Sequence, residues 1–215
     1  MSTEVPATVL ADETWLRADL GRAANLYGRA EPKVLGTIRW YSASSVLVAP
    51  ALEPFLHSGI VLDPSLESVL LTMHPDGRYL DARATRTLGD SGLSALGTAL
   101  GEALEPAVTA AASVCGATPR SLWAIALDSV ANRLLWAGSA LGSTESAMEL
   151  AAPLAEAIGH GVPLPRFTMA GGNADRPVVR RASCCLIYHA GSEKCTSCPR
   201  QTPAERQRRL RALLG

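Results

Sequence analysis

Four of the five cysteines in this 215-residue chain, Cys184, Cys185, Cys195 and Cys198, fall within fifteen positions in the order C-C-x9-C-x2-C. A C-x2-C turn lets two thiolates converge on one metal while nearby backbone amides point at sulfur, an arrangement common to zinc knuckles and iron–sulfur sites. Vicinal cysteines are awkward in a mononuclear zinc site, because side chains of neighbouring residues in extended chain diverge. Cys184 and Cys185 therefore suit a wider object with two metal centres, or a local bend. Residue types and spacing alone leave zinc, an iron–sulfur centre and free thiols open. The fifth cysteine, Cys115, stands alone in an Ala/Val-rich run and reads as a small buried hydrophobe.

The charge pattern sets this end of the chain apart. From Asp175 onward there are nine basic residues against three acids, a net +6 that the rest of the chain balances to an overall formal charge of zero. Such a segment suits nucleic acid, an acidic partner, or a negative group held within the segment itself. One reading is a zinc-stabilised module that binds nucleic acid or protein through the basic run 206–211. Another is an iron–sulfur sensor or electron carrier. The sequence carries no hydrolase motif and no G-x-G-x-x-G for a nicotinamide or flavin, so redox chemistry here would draw its electron from an external donor protein or reductant.

The elements that must position these cysteines follow from composition and periodicity. Hydrophobic residues make up 47% and charged residues 19%, which excludes a disordered chain. Aromatics are only 5%, so Leu, Val and Ala must build the core, a mix that favours helices. Helices are predicted over 12–27, 34–48, 51–57, 91–104 with a break at Pro106 before 107–115, from Thr118-Pro119 through Leu135, and over 144–158. Thr202-Pro203-Ala204-Glu205 combines a capping box with proline at the first helical position, which predicts a final helix through Leu214. Ser68–Met73, a turn over 74–78 and Tyr79–Asp81 read as a β-hairpin, with Gly59–Leu62 as a further strand. Residues 1–11 read as a frayed start and 162–175 as a linker. The fold class expected is α+β, mainly helical with a small antiparallel β element and a C-terminal cysteine-rich segment. The expected division is a helical domain with a hairpin over 1–161, then the linker, cysteine segment and final helix over 162–215. The first basic residue is Arg17, which predicts no secretory signal and a cytoplasmic chain. The most apolar stretch, 95–115, is broken by Glu102, Glu105 and Pro106 and predicts no integral membrane segment.

Arg180-Arg-Ala-Ser-Cys-Cys-Leu-Ile-Tyr188, followed by Cys195-Thr-Ser-Cys198-Pro199, closely resembles the C-terminal signature of the FhuF-like ferric siderophore reductases. Upstream, Ser42-Ala43-Ser44, the run Val48 to Leu52, Gly59 to Asp63 and Asn132 to Trp136 resemble the family more weakly. The spacer between the cysteine pairs is one residue shorter than the family's usual. The resemblance implies a [2Fe-2S] cluster on Cys184, Cys185, Cys195 and Cys198. It also implies one-electron reduction of a ferric siderophore of the hydroxamate type, with release of Fe(II), and no role for nucleic acid. The location implied is cytoplasmic, at most peripheral to the inner face of the membrane. The cluster with four thiolates, two sulfides and two ferric ions sums to −2, falling to −3 on reduction, which the +6 segment would balance. His189 and Tyr188 in the intervening loop, and Arg180, Arg181 and Arg200, are candidates for contact with sulfur, substrate or donor. A solvated loop is the plainer reading of His189, a solvated face explains the arginines equally well, and core packing is the expectation for Trp40 and Trp136.

Overall fold

The computed structural model describes residues 2–89, 92–161, 163–171 and 175–214. Its helices start where side chains can satisfy their first amides. In α1 (Glu13–Tyr27) the Asp12 carboxylate accepts the N–H groups of Thr14 and Trp15 at 2.7 and 3.1 Å. After α2 (Pro32–Leu47) and α3 (Ala49–Ser58) comes α4 (Leu93–Cys115). Its predicted start at Ser91 lies outside the described residues. The predicted break at Pro106 does not occur, because Leu104, Ala107 and Val108 are buried and their packing offsets the roughly 3 kcal/mol cost of an interior proline. Thr118 caps α5 (Pro119–Ala140), accepting the Ser121 N–H at 3.3 Å. The stretch predicted as one helix over 144–158 is two, α6 (Thr144–Glu149) and α7 (Ala151–Ile158). The last helix, α8 (Pro203–Leu214), is capped by Thr202, which accepts the Glu205 N–H at 3.2 Å.

The central element is α5, which packs against α2, α3, α4, α6 and α7. A core of alanine and leucine lets helices approach closely, and glycine marks the tightest points. A Cβ on Gly101 of α4 would lie 2.6 Å from the Ile158 carbonyl oxygen, and one on Gly97 would lie 2.3 Å from the Ala157 Cβ. The first obstacle is backbone and cannot swing aside, so Gly101→Ala should lower stability by about 1–3 kcal/mol. Its urea midpoint should fall, with an unchanged m-value.

The hairpin is present as β2 (Val69–Met73) and β3 (Tyr79–Ala84), with Val69, Leu71 and Met73 turned into the core. Its third strand is not Gly59–Leu62, where only Leu62 makes an isolated bridge to Thr87. That place is taken by β1 (Thr3–Pro6), in the segment expected to be frayed, which pairs antiparallel with β2 from Thr3↔Met73 to Pro6↔Leu70. Residues Ala7–Ala11 follow as a 3-10 helix that buries Ala7 and Leu10. Four residues carry too little periodicity to announce a strand; the exposed edge of β2 selects them. Within 162–175, expected to be a linker, Phe167–Ala170 forms β4 and pairs with β5 (Arg176–Val179), while Val162 and residues 172–174 lie outside the described residues. β5 packs on α5 and so delivers the chain that follows it to that helix.

Asp19 of α1 is buried. Its carboxylate accepts Arg39 Nε and Nη2 at 2.7 and 3.0 Å and the Tyr79 hydroxyl at 3.2 Å, while Arg39 Nη2 also donates to the Gly77 carbonyl at 2.7 Å. This network fastens α1, α2 and the hairpin turn together.

Candidate iron–sulfur site

The chain leaves β5 at Val179 and turns sharply just past the vicinal cysteines. Leu186 adopts a left-handed conformation, φ 62° and ψ 9°, that a branched non-glycine residue rarely takes. The turn directs backbone amides at sulfur: the Leu186 N–H lies 3.4 Å from Cys184 Sγ, and the Ile187 N–H interacts with the Cys185 thiol. It is the local bend that vicinal cysteines require. A 3-10 turn over Ile187–Ala190 and Gly191, at φ 92°, then lead the chain back to Cys195.

The second pair sits on a turn in which Cys198 N–H donates to the Cys195 carbonyl at 3.0 Å. That carbonyl also accepts Gln201 Nε2 at 3.0 Å, and Arg209 Nη1 from α8 donates to the Lys194 carbonyl at 2.9 Å, so the last helix clamps the turn. The Sγ atoms of Cys184 and Cys198 are 3.7 Å apart. Hydrogen bonds from Cys184 and then Cys195 pull the Cys185 thiol well down, while the same contacts push Cys184 and Cys195 up. Four thiols thus share one neighbourhood without forming a disulfide. Cys184, Cys185 and Cys198 are buried and Cys195 is partly exposed. Cys115 is buried between α4 and Gly36 of α2, away from this group, and burial raises its thiol pKa.

Two residues from the helical core hold the segment in place. The Asp128 carboxylate of α5 accepts the Ala182 N–H at 2.9 and 3.1 Å and the Ser183 N–H at 3.2 Å, and lies 3.6 Å from Arg181 Nε. Burial pushes the Asp128 carboxyl up to about 6, against the pull of the Ala182 N–H and the Arg181 guanidinium. The guanidinium of Arg181 lies 4.4 Å over the Tyr41 ring of α2, and its Nη1 is 3.5 Å from Cys195 Sγ. Burial draws the Arg181 proton affinity down, but Tyr41, Cys185 and Asp128 outweigh it, so the group stays charged. Its Nε and Nη2 are buried without a hydrogen-bond partner.

Among the residues singled out from the sequence, Arg181 alone of the arginines is buried beside sulfur; Arg180 and Arg200 are exposed. His189 is exposed and lies 4.2 Å from the Tyr188 ring, and Lys194 Nζ covers that ring at 5.3 Å. A depression of about 490 Å³ borders Cys184 and is lined by Lys33, His189 and Arg200. Trp40 is core, donating from its indole to the Leu122 carbonyl at 2.8 Å. Trp136 is not: it is 52% exposed, with Arg133 at 5.4 Å over its ring. It lines a groove of about 700 Å³ with Arg176, Val178, Cys195, Thr196 and Leu213. Asp128 and Tyr41 were not legible as site residues, since nothing in their local sequence refers to a segment more than fifty positions away.

The residues fit an anionic sulfur-ligated group. The donor set is four soft thiols, amides already point at two of them, and a buried cation beside Cys195 has two donors left for an anion. Among the described residues no three or more His, Cys, Asp or Glu side chains form a ready cage for an ion, so the fit rests on the donor set and its charge. Residues 181–200 match the family model of the FhuF 2Fe-2S C-terminal domain. No curated protein and no solved structure matches the chain significantly. The cysteine segment is thus similar to the FhuF 2Fe-2S C-terminal domain, and the cofactor this supports is a [2Fe-2S] cluster.

Proposed function

We propose that the protein is a ferric siderophore reductase that binds its cluster through Cys184, Cys185, Cys195 and Cys198. The observation that carries this reading is the groove at Cys195, where the most accessible of the four thiols meets an exposed tryptophan. Its volume of about 700 Å³ falls within the range of small-molecule sites. When bound, the cluster supplies one electron at a time. Trp136 and Leu213, 52% and 68% exposed, offer an apolar surface to the organic backbone of a hydroxamate chelate, and Arg176 offers a positive charge at the rim. The Fe(III) of the chelate accepts the electron and becomes Fe(II), which hard oxygen donors hold far less well, so the metal is released and the chelator is left unchanged. The electron is replaced by an external redox protein or reductant. No proton transfer is required, so the chain needs no general acid or base.

The basic charge of α8 is partly used internally: Arg208 and Arg209 pair with Glu205, which leaves less of it for nucleic acid. No described helix is long and apolar enough to cross a membrane.

Reduced protein mixed with a ferric hydroxamate siderophore and a ferrous trap tests the reading. One Fe(II) should appear per cluster, at the rate the cluster is reoxidised, and Trp136→Ala should raise the chelate concentration needed for half-maximal rate several-fold. Reoxidation by several chemically distinct ferric siderophores no faster than by buffer would leave an iron–sulfur sensor or carrier in place of the reductase.

A further inference from the structure

Several exposed arginines are neutralised by their neighbours: Arg17, Arg78 and Arg83 pair with Glu13, Asp76 and Glu4. Lys33, Arg120, Arg166, Arg180 and Arg200 are also exposed, yet among the described residues they enter no ion pair. These five gather on one face. Arg120, Arg166 and Arg180 line a depression of about 500 Å³, and Lys33 and Arg200 line the depression of about 490 Å³ that borders Cys184. The two are continuous, because Thr118, Ser121 and Ser183 line both. Thr118 and Ser121 also open α5, whose dipole adds positive potential there. Of the acids lining either depression, Glu31 is exposed, while Asp128 is buried and already engaged with Ala182, Ser183 and Arg181.

We propose that this face docks the external electron-donor protein through a carboxylate-rich surface on that partner. Calling the partner the donor rests on the reductase reading, whereas its acidic chemistry rests on the face itself. The chain as a whole has a formal charge of zero, so an acidic protein is drawn to this face and not to the molecule at large. Unpaired cations held close together repel one another, and carboxylates on a partner relieve that repulsion while steering the encounter. Two adjoining depressions make a broad surface rather than a cage for one small anion. Leu164, 45% exposed beside Arg166, adds an apolar contact of the kind a protein partner covers. No Trp, Tyr or Phe lines either depression, so the face lacks the stacking platform that unpaired nucleic-acid bases require. The face also stands clear of the groove at Trp136 and Cys195: no residue lines both, so a partner protein and a chelate can be held at the same time.

Titration of oxidised holoprotein with oxidised partner proteins reads docking with no electron transfer. An acidic plant-type ferredoxin and an acidic flavodoxin should bind, and the basic cytochrome c should not. Raising the ionic strength from about 10 to about 100 mM shortens the screening length from roughly 30 to roughly 10 Å, and should weaken ferredoxin binding about tenfold or more. The double variant Arg120→Glu/Arg166→Glu should weaken it by a similar factor, and Lys33→Glu severalfold; at the first turn of α2 a glutamate is no burden on the helix. Arg206→Glu/Arg211→Glu on α8 changes the net charge as much as the first pair does, yet should leave binding within about twofold of wild type. Equal weakening by the two pairs would mean attraction by net charge alone and would overturn the docking face. Duplex DNA bound more tightly than either acidic protein, and lost in the same variants, would assign the face to nucleic acid instead. Failure of both acidic proteins to bind at low ionic strength would also overturn it. Dithionite charges the holoprotein without any partner, which keeps the two readings separable. Docking without siderophore reduction would strike the reductase alone, and siderophore reduction without docking would strike the docking face alone.

Discussion

Alanine in place of Cys184, Cys185 or Cys198 is expected to leave the purified protein without visible iron–sulfur absorption, and Cys195→Ala to do the same, while Cys115→Ala keeps the absorption at full strength. The four thiols share one neighbourhood, whereas Cys115 is packed between α4 and α2. The main hydrophobic core runs from Ala7 to Ile158 and contains none of the four. Their loss, or chelation of the metal, should therefore leave the helical far-ultraviolet circular dichroism nearly unchanged. Iron content, visible absorption and circular dichroism on the same samples check this. Full iron occupancy in Cys198→Ala, or loss of colour in Cys115→Ala, would contradict the assignment, and cooperative loss of helix on chelation would show that the cluster organises the whole fold.

Asp128→Ala should be the most damaging substitution outside the cysteines. It removes the acceptor of two backbone N–H groups and the carboxylate that lies 3.6 Å from the buried Arg181 guanidinium. Breaking a buried pair in this way costs about 3–5 kcal/mol. Because the lost contacts join α5 to the cysteine segment, the expected outcome is release of that segment with the helical core still folded. Cluster content should fall severalfold and the segment should become protease-sensitive, while the far-ultraviolet spectrum persists. Asp128→Asn keeps an acceptor oxygen but not the charge, and should fall between the two. Wild-type cluster content in Asp128→Ala would mean that α8 and β5 suffice to hold the segment.

Several features were legible because their cause is local. Asp12, Thr118-Pro119 and Thr202-Pro203 mark helix starts through the nearest amides, and the turn at 74–78 carries its own chemistry. The cysteine spacing belongs to the same class: its resemblance to the FhuF-like signature lies in one short segment, and the family model matches there too. What misled was equally local. Pro106 looks like a helix break, residues 1–11 look patternless, and Trp136 looks like core, yet each outcome depends on what packs opposite.

By itself the sequence determined a helical α+β chain built on small apolar residues, and four thiols gathered within fifteen positions. Those properties follow from composition, periodicity and spacing, which act over a few residues. Only the tertiary structure decided that β1 completes the sheet, that Asp128 and Tyr41 meet Arg181, and that Arg181 rather than Arg180 lies against Cys195. Adjacent arginines are indistinguishable in a sequence. Their roles diverge because α5 and α2 close over one and leave the other in water, where solvent screens its charge from the sulfurs.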